Sequence, residues 1–112
     1  MESWDIYTCD FADAGPHPAV VFTPSRLLQR PDIEYVNVLF CQTLRGALKR
    51  QLHPGQIILD RADGLDWETI CYCQMLHLVS KAGLTERRGT VCRERRRQIS
   101  QELLRLFPFE WI

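Results

Sequence analysis

The sequence predicts a mainly β protein: a small, strongly curved antiparallel sheet closed by one C-terminal amphipathic helix. Short apolar, β-branched runs alternate with turn-forming residues over the first 90 positions. From about Val91 the apolar period becomes helical. The chain of 112 residues suits one domain, 1–112, long enough to bury a core without disulfide or metal staples.

The elements follow in order. SWDIYTCDF, residues 3–11, is aromatic and β-branched and reads as a first strand. ADAGPHP is a turn by composition, and AVVFT is a second strand whose unbroken apolar character predicts cover on both faces. PSRLLQRPD supplies one helical turn ended by Pro31. IEYVNVLFCQTL, residues 33–44, has no wholly polar face, so it is expected to be central. RGALKRQLHPGQ is a basic excursion, QIILD a short strand and RADGLDW a turn. ETICYCQMLHLVSK, residues 68–81, is another long strand, and AGLTERRGT reads as a loop. In the final helix Ile99, Leu103 and Leu106 fall at i, i+4, i+7, with Leu104 and Phe107 widening the stripe. Thr90 or Cys92 is the N-cap, Thr being the better cap chemically, and Pro108 stops the helix.

Charge and cysteine content narrow the partners. No apolar run approaches the roughly 18 residues that cross a membrane. The opening MESWDIYTCD has neither a basic nor an apolar segment of a signal peptide, so a cytoplasmic location is expected. The net charge of zero hides an asymmetry. Residues 1–40 carry six acids and two bases, residues 41–80 four of each, and residues 81–112 eight bases and four acids. A basic face can meet phosphate or an acidic partner; a run of arginines is also an ordinary solvated helix face. Cys9, Cys41, Cys71, Cys73 and Cys92 read as reduced thiols, mostly buried. In a strand, the two sulfurs of CYC at 71–73 share one face; as metal ligands they lack a second pair.

Four segments together resemble the MazF/PemK family of toxins from type II toxin–antitoxin systems. WDIYTCDFADAGPHPAVVFTP resembles the family's opening strand, loop and second strand. VNVLFCQT resembles its third strand, TICYCQMLHLVSKAGL its Cys-Asp-Gln-x-Arg strand, and RRGTVCRERRRQISQELLRLF its closing helix. The resemblance covers nearly the whole chain. It implies an SH3-like small antiparallel barrel with a C-terminal amphipathic helix, usually a homodimer. It further implies an endoribonuclease without metal or other cofactor, which cuts single-stranded RNA by attack of the 2′-OH on the adjacent phosphorus. A cognate antitoxin protein is the implied partner. Some relatives with this fold bind DNA gyrase instead, and a non-catalytic RNA- or protein-binding member is the rival expectation.

The resemblance also marks residues. Thr43 matches the active-site threonine, whose hydroxyl can donate to a phosphate oxygen. His17 stands where the family has an arginine; it can contact phosphate as a cation or carry a proton. The alternative for His17 is a loop residue packed between two prolines. Gln74 and His77 stand where the family has Asp and Arg, and both are expected to contact RNA rather than to react. Three residues apart in a straight strand, they point to opposite faces. Gln42, Arg45, Lys49 and Arg50 complete the expected RNA track. His53 matches no family role, and Trp4 and Trp67 are expected in the core rather than as stacking platforms. The apolar tail FPFEWI and the long apolar strands predict a homodimer.

Overall fold

The computed structural model describes residues 1–44 and 52–107. Six strands form one antiparallel sheet: β1 (Asp5–Phe11), β2 (Gly15–Val21), β3 (Tyr35–Thr43), β4 (Gln56–Leu59), β5 (Thr69–Ser80) and β6 (Leu84–Thr90). The order across the sheet is β4-β5-β3-β2-β1-β6. A short helix α1 (Ser25–Leu28) follows β2, and α2 (Arg93–Leu106) closes the chain. The predicted architecture, a curved antiparallel sheet with a C-terminal helix, is present. The sheet stays open: among the described residues β4 and β6 are its two edges.

Both faces of the sheet are covered at its centre. On one face Ile6, Val20, Leu39, Cys41, Leu59, Cys71 and Cys73 pack with Val91 and with Ile99 and Leu103 of α2. On the other, Cys9, Ala19, Val21, Val36 and Val38 pack with Leu28 of α1 and Leu84. β2 alternates between the two clusters, as its unbroken apolar run predicts. β3 is central, as expected. Cys41, Cys71 and Cys73 are free thiols with no exposure, on one face. The Cys71 thiol is pushed well above the usual range, chiefly by its hydrogen bond with Cys41, and the Cys73 thiol is raised by Cys71 and by burial. Such thiols behave as small hydrophobes.

Three elements differ from the sequence expectation. The turn shortens to Ala12–Ala14, and Gly15 through Pro18 join β2. Gly15, at φ +78, makes the corner. The prolines are tolerated because of where their missing N–H groups would point. The Val21 carbonyl accepts from Trp4 on the β1 side, whereas Phe22 N–H donates to Asn37 of the β3 segment. Even positions of β2 thus face β3, and β3 pairs β2 only at Ala19–Val21. Pro16 and Pro18 therefore break no ladder bond.

The second difference is LTERRGT, expected as loop. It pairs with β1 as edge strand β6, with two register shifts. Its charged, non-alternating composition is that of a protected edge, and pairing rather than burial makes it a strand. The third is Leu104, which is 66% exposed and outside the apolar stripe, whereas Phe107 does pack against the core. Trp67 likewise is 57% exposed, not core. Trp4 packs on the core, edge-on to Phe22 at 6.1 Å. Its left-handed backbone (φ 75) sends its N–H to Val21 and its carbonyl to Val91 N–H, tying β2 to the start of α2.

The N-terminus of α2 is held from outside the helix. Cys92 is the N-cap residue and makes no side-chain cap bond. Its N–H donates instead to Asp63 Oδ1 at 2.8 Å, and Thr90 Oγ1 donates to the Trp4 carbonyl. Asp63 is buried and also accepts from Asp60 N–H and from Arg95 of α2. Asp60 accepts from Arg95 at 2.6 Å and from Ala62 N–H. The Arg95 guanidinium holds the Asp60 carboxyl down at about 2. Gly89 permits this approach, since a Cβ there would lie 2.1 Å from the Asp63 carbonyl oxygen.

Candidate active site

β5 has a long irregularity opposite Phe40. Leu39 pairs with Leu76 and Cys41 with Cys71, so the single residue Phe40 faces the four residues 72–75. In a regular strand Tyr72 and His77, five apart, point to opposite faces. The irregularity turns both toward Phe40. The Phe40 ring lies 5.9 Å from Tyr72 and 6.3 Å from His77, centre to centre. Phe11 of β1 closes the group, 5.0 Å from Phe40 and 5.2 Å from His77. These contacts are tilted or edge-on, the geometries that ring quadrupoles favour.

His17 enters the same cluster from β2. Its ring lies 4.8 Å from that of Phe40. Its Nε2 is 3.0 Å from the Ala14 carbonyl. A carbonyl only accepts, so Nε2 donates and Nδ1 is left as the nitrogen able to take a proton. His17 is thus neither a free loop residue nor clamped between its prolines; it stands on a strand, half-buried, against an aromatic ring. Gln42 lies on the Phe40 side of β3 by alternation, and Tyr72 Oη donates to its Oε1 at 2.9 Å. The Gln42 amide keeps two N–H donors on the exposed end of the cluster.

The other expected residues are placed differently. Thr43 ends β3, half-buried and paired with Thr69, on the Leu39–Cys41 side of the strand by alternation. Gln74 sits at the irregularity, where its side chain runs past Gly55 beside Leu106 of α2. Arg45, Lys49 and Arg50 lie outside the described residues. The structure therefore gathers His17, Gln42 and His77, and sets Thr43 and Gln74 apart from them. Sequence reasoning passed over Phe11, Phe40 and Tyr72, which organise the cluster. Phe40 was visible as an aromatic near the end of a central strand, but the irregularity in β5 has no composition signal.

The curved six-stranded antiparallel sheet with a C-terminal helix is the fold of MazF toxins. Three solved structures of that kind superpose along nearly the entire chain. An endoribonuclease from a mycobacterial species, solved with its cognate antitoxin, matches with a TM-score of 0.80 at 16% identity, over 100% of this chain and 99% of the other. The Mycobacterium tuberculosis toxin MazF-mt6 gives 0.77 at 15%, over 96% and 99%. The MazE–MazF complex of Deinococcus radiodurans gives 0.74 at 11%, over 98% and 97%. No family model matches the chain, and no curated protein matches it by sequence.

Proposed function

We propose that this protein is the toxin of a type II toxin–antitoxin pair, an endoribonuclease that cuts single-stranded RNA without a metal. The observation that carries the reading is the placement of His17. It lies on a MazF-like fold, at the position where the resemblance puts a reacting group, and its ring is oriented by a carbonyl. In this reading the 2′-OH attacks the adjacent phosphorus. His17 carries a proton or contacts the phosphate; Thr43, on the other side of β3 from the ring cluster, is assigned a phosphate contact by the family resemblance alone. Gln42, Gln74 and His77 contact the RNA, and Arg45, Lys49 and Arg50 supply its electrostatic track. The test is cleavage of single-stranded RNA by purified protein in the presence of a chelator. Cleavage that is lost in His17→Ala supports the reading; no cleavage, or full cleavage by that variant, ends it.

A cognate antitoxin and a cytoplasmic location belong to the same proposal, as does a homodimer. Tyr35, Leu76 and Leu78 share one face of β3 and β5 and are all exposed, Leu78 by 68%. Beyond Cys73, whose N–H donates to the Gly55 carbonyl, β5 has no strand partner on that side among the described residues. An apolar face beside a bare edge favours a second copy. Sedimentation at micromolar concentration should show a dimer, and Leu78→Asp should shift it to monomer.

One observation favours a second reading, a non-catalytic binding protein. Gln74 carries no carboxylate where the family pattern has one, and it lies against Gly55 rather than in the ring cluster. Expression that leaves growth intact, with RNA or partner binding retained, selects this reading.

A further inference from the structure

We propose that His77 is a second proton carrier, acting as general acid beside the same Phe40 ring as His17, the general base. The inference rests on the endoribonuclease reading and assigns His77 a reacting role rather than an RNA contact.

Transfer of a phosphoryl group from O5′ to O2′ needs a proton removed on one side of the phosphorus and supplied on the other. Two histidines that flank one site can share that work. His17 and His77 come from different strands, β2 and β5, and converge on Phe40 at 4.8 and 6.3 Å. Both rings lie against the same Phe40 ring, so their centres are at most about 11 Å apart, the sum of the two separations. A phosphodiester with its two reacting oxygens, each in hydrogen-bond reach of a nitrogen, spans a comparable width. The irregularity opposite Phe40 is what brings His77 to this face, and Phe11 at 5.2 Å braces its ring.

The division of labour follows from the hydrogen bonds. His17 is held at Nε2 by the Ala14 carbonyl, so Nδ1 takes the proton. This is the arrangement of a base oriented by a third group. Nδ1 of His17 removes the 2′-OH proton as O2′ bonds to phosphorus. The phosphorus–O5′ bond breaks, and protonated His77 gives its proton to O5′. The products are a 2′,3′-cyclic phosphate and a free 5′-OH. The titratable groups on the strands around the two rings are Cys9 and Asp10 of β1 and Tyr72 of β5. Burial and the Asp10 charge push the Cys9 thiol up and keep it neutral.

The test compares two substrates: an RNA dinucleotide, and a nucleoside 3′-(p-nitrophenyl phosphate) whose leaving phenolate needs no proton. For wild-type protein, the rate against pH should be bell-shaped with RNA and should lose its alkaline limb with the aryl ester. His77→Gln should lower kcat on RNA by about 10²–10⁴-fold with KM little changed. On the aryl ester it should regain near wild-type rates, whereas His17→Ala should be slow on both. A variant that raises only KM makes His77 an RNA contact and overturns the proposal. So does an alkaline limb that persists for wild type on the aryl ester, a result that needs no variant to fold. Wild-type protein that cleaves neither substrate overturns the endoribonuclease reading itself. Wild-type cleavage with an indifferent His77→Gln overturns only the role given to His77.

Discussion

Around Arg95, two carboxylates and three backbone N–H groups meet in one closed hydrogen-bond network. Around Phe40, five rings meet with two hydrogen bonds among them and their neighbours. The first region joins the turn after β4 to the start of α2 and leaves its polar groups partnered. The second, among the described residues, keeps imidazole nitrogens and amide donors uncommitted beside a stretch of β2 that β3 does not pair. The difference separates what holds the fold from what is available to a ligand. A buried charge with every partner in place resists any change, while a half-buried ring cluster can lose a member and keep its shape.

The largest effect should come from breaking the first region. Asp63→Ala leaves Arg95 half-paired and the Cys92 N–H without its acceptor, and should cost about 4 kcal/mol in urea unfolding. A loss below about 1 kcal/mol would mean that water replaces the carboxylate. Gly89→Ala should follow at about 3 kcal/mol, because its methyl meets the Asp63 backbone rather than a side chain that can swing away. His17→Ala makes the opposite contrast. It should change stability by about 1 kcal/mol or less while abolishing RNA cleavage, since the half-exposed ring adds little burial. The smallest effect is acid. The folded-state carboxyl of Asp60 sits near 2, below its ordinary value of 3.8, so its contribution is present above that ordinary value. It is lost as pH falls from about 4 towards 2, and a thermal-melt series over that window should show the loss in wild type and less of it in Asp60→Asn.

Much of this was legible in the residues. β1, β3, β4, β5 and α2 follow from apolar runs and their period, because burial and local geometry agree there. β6 was not legible, since its strand state comes from a distant partner, β1 at the start of the chain, and not from Leu-Thr-Glu-Arg-Arg-Gly-Thr itself. Pro16 and Pro18 hid the first half of β2, because a proline excludes a strand only where its N–H is wanted. At the candidate site, His17, Gln42 and His77 were singled out from sequence. Strict alternation along β5 nevertheless argued against His77. That reasoning fails where four residues of one strand face a single residue of the other.

The two prolines of β2 have a last consequence. Residues 16 and 18 direct their backbone toward the side next to the ring cluster where, among the described residues, no strand pairs them, and each offers a carbonyl there with no N–H. That rim is a row of acceptors only. An added β-strand needs donors and acceptors in turn and finds half of them missing. Molecules rich in donors, such as the exocyclic amino groups of nucleobases or the guanidinium groups of a protein, find a row of oxygens suited to them. A ligand can therefore be read at this rim, and a stray strand cannot seal it.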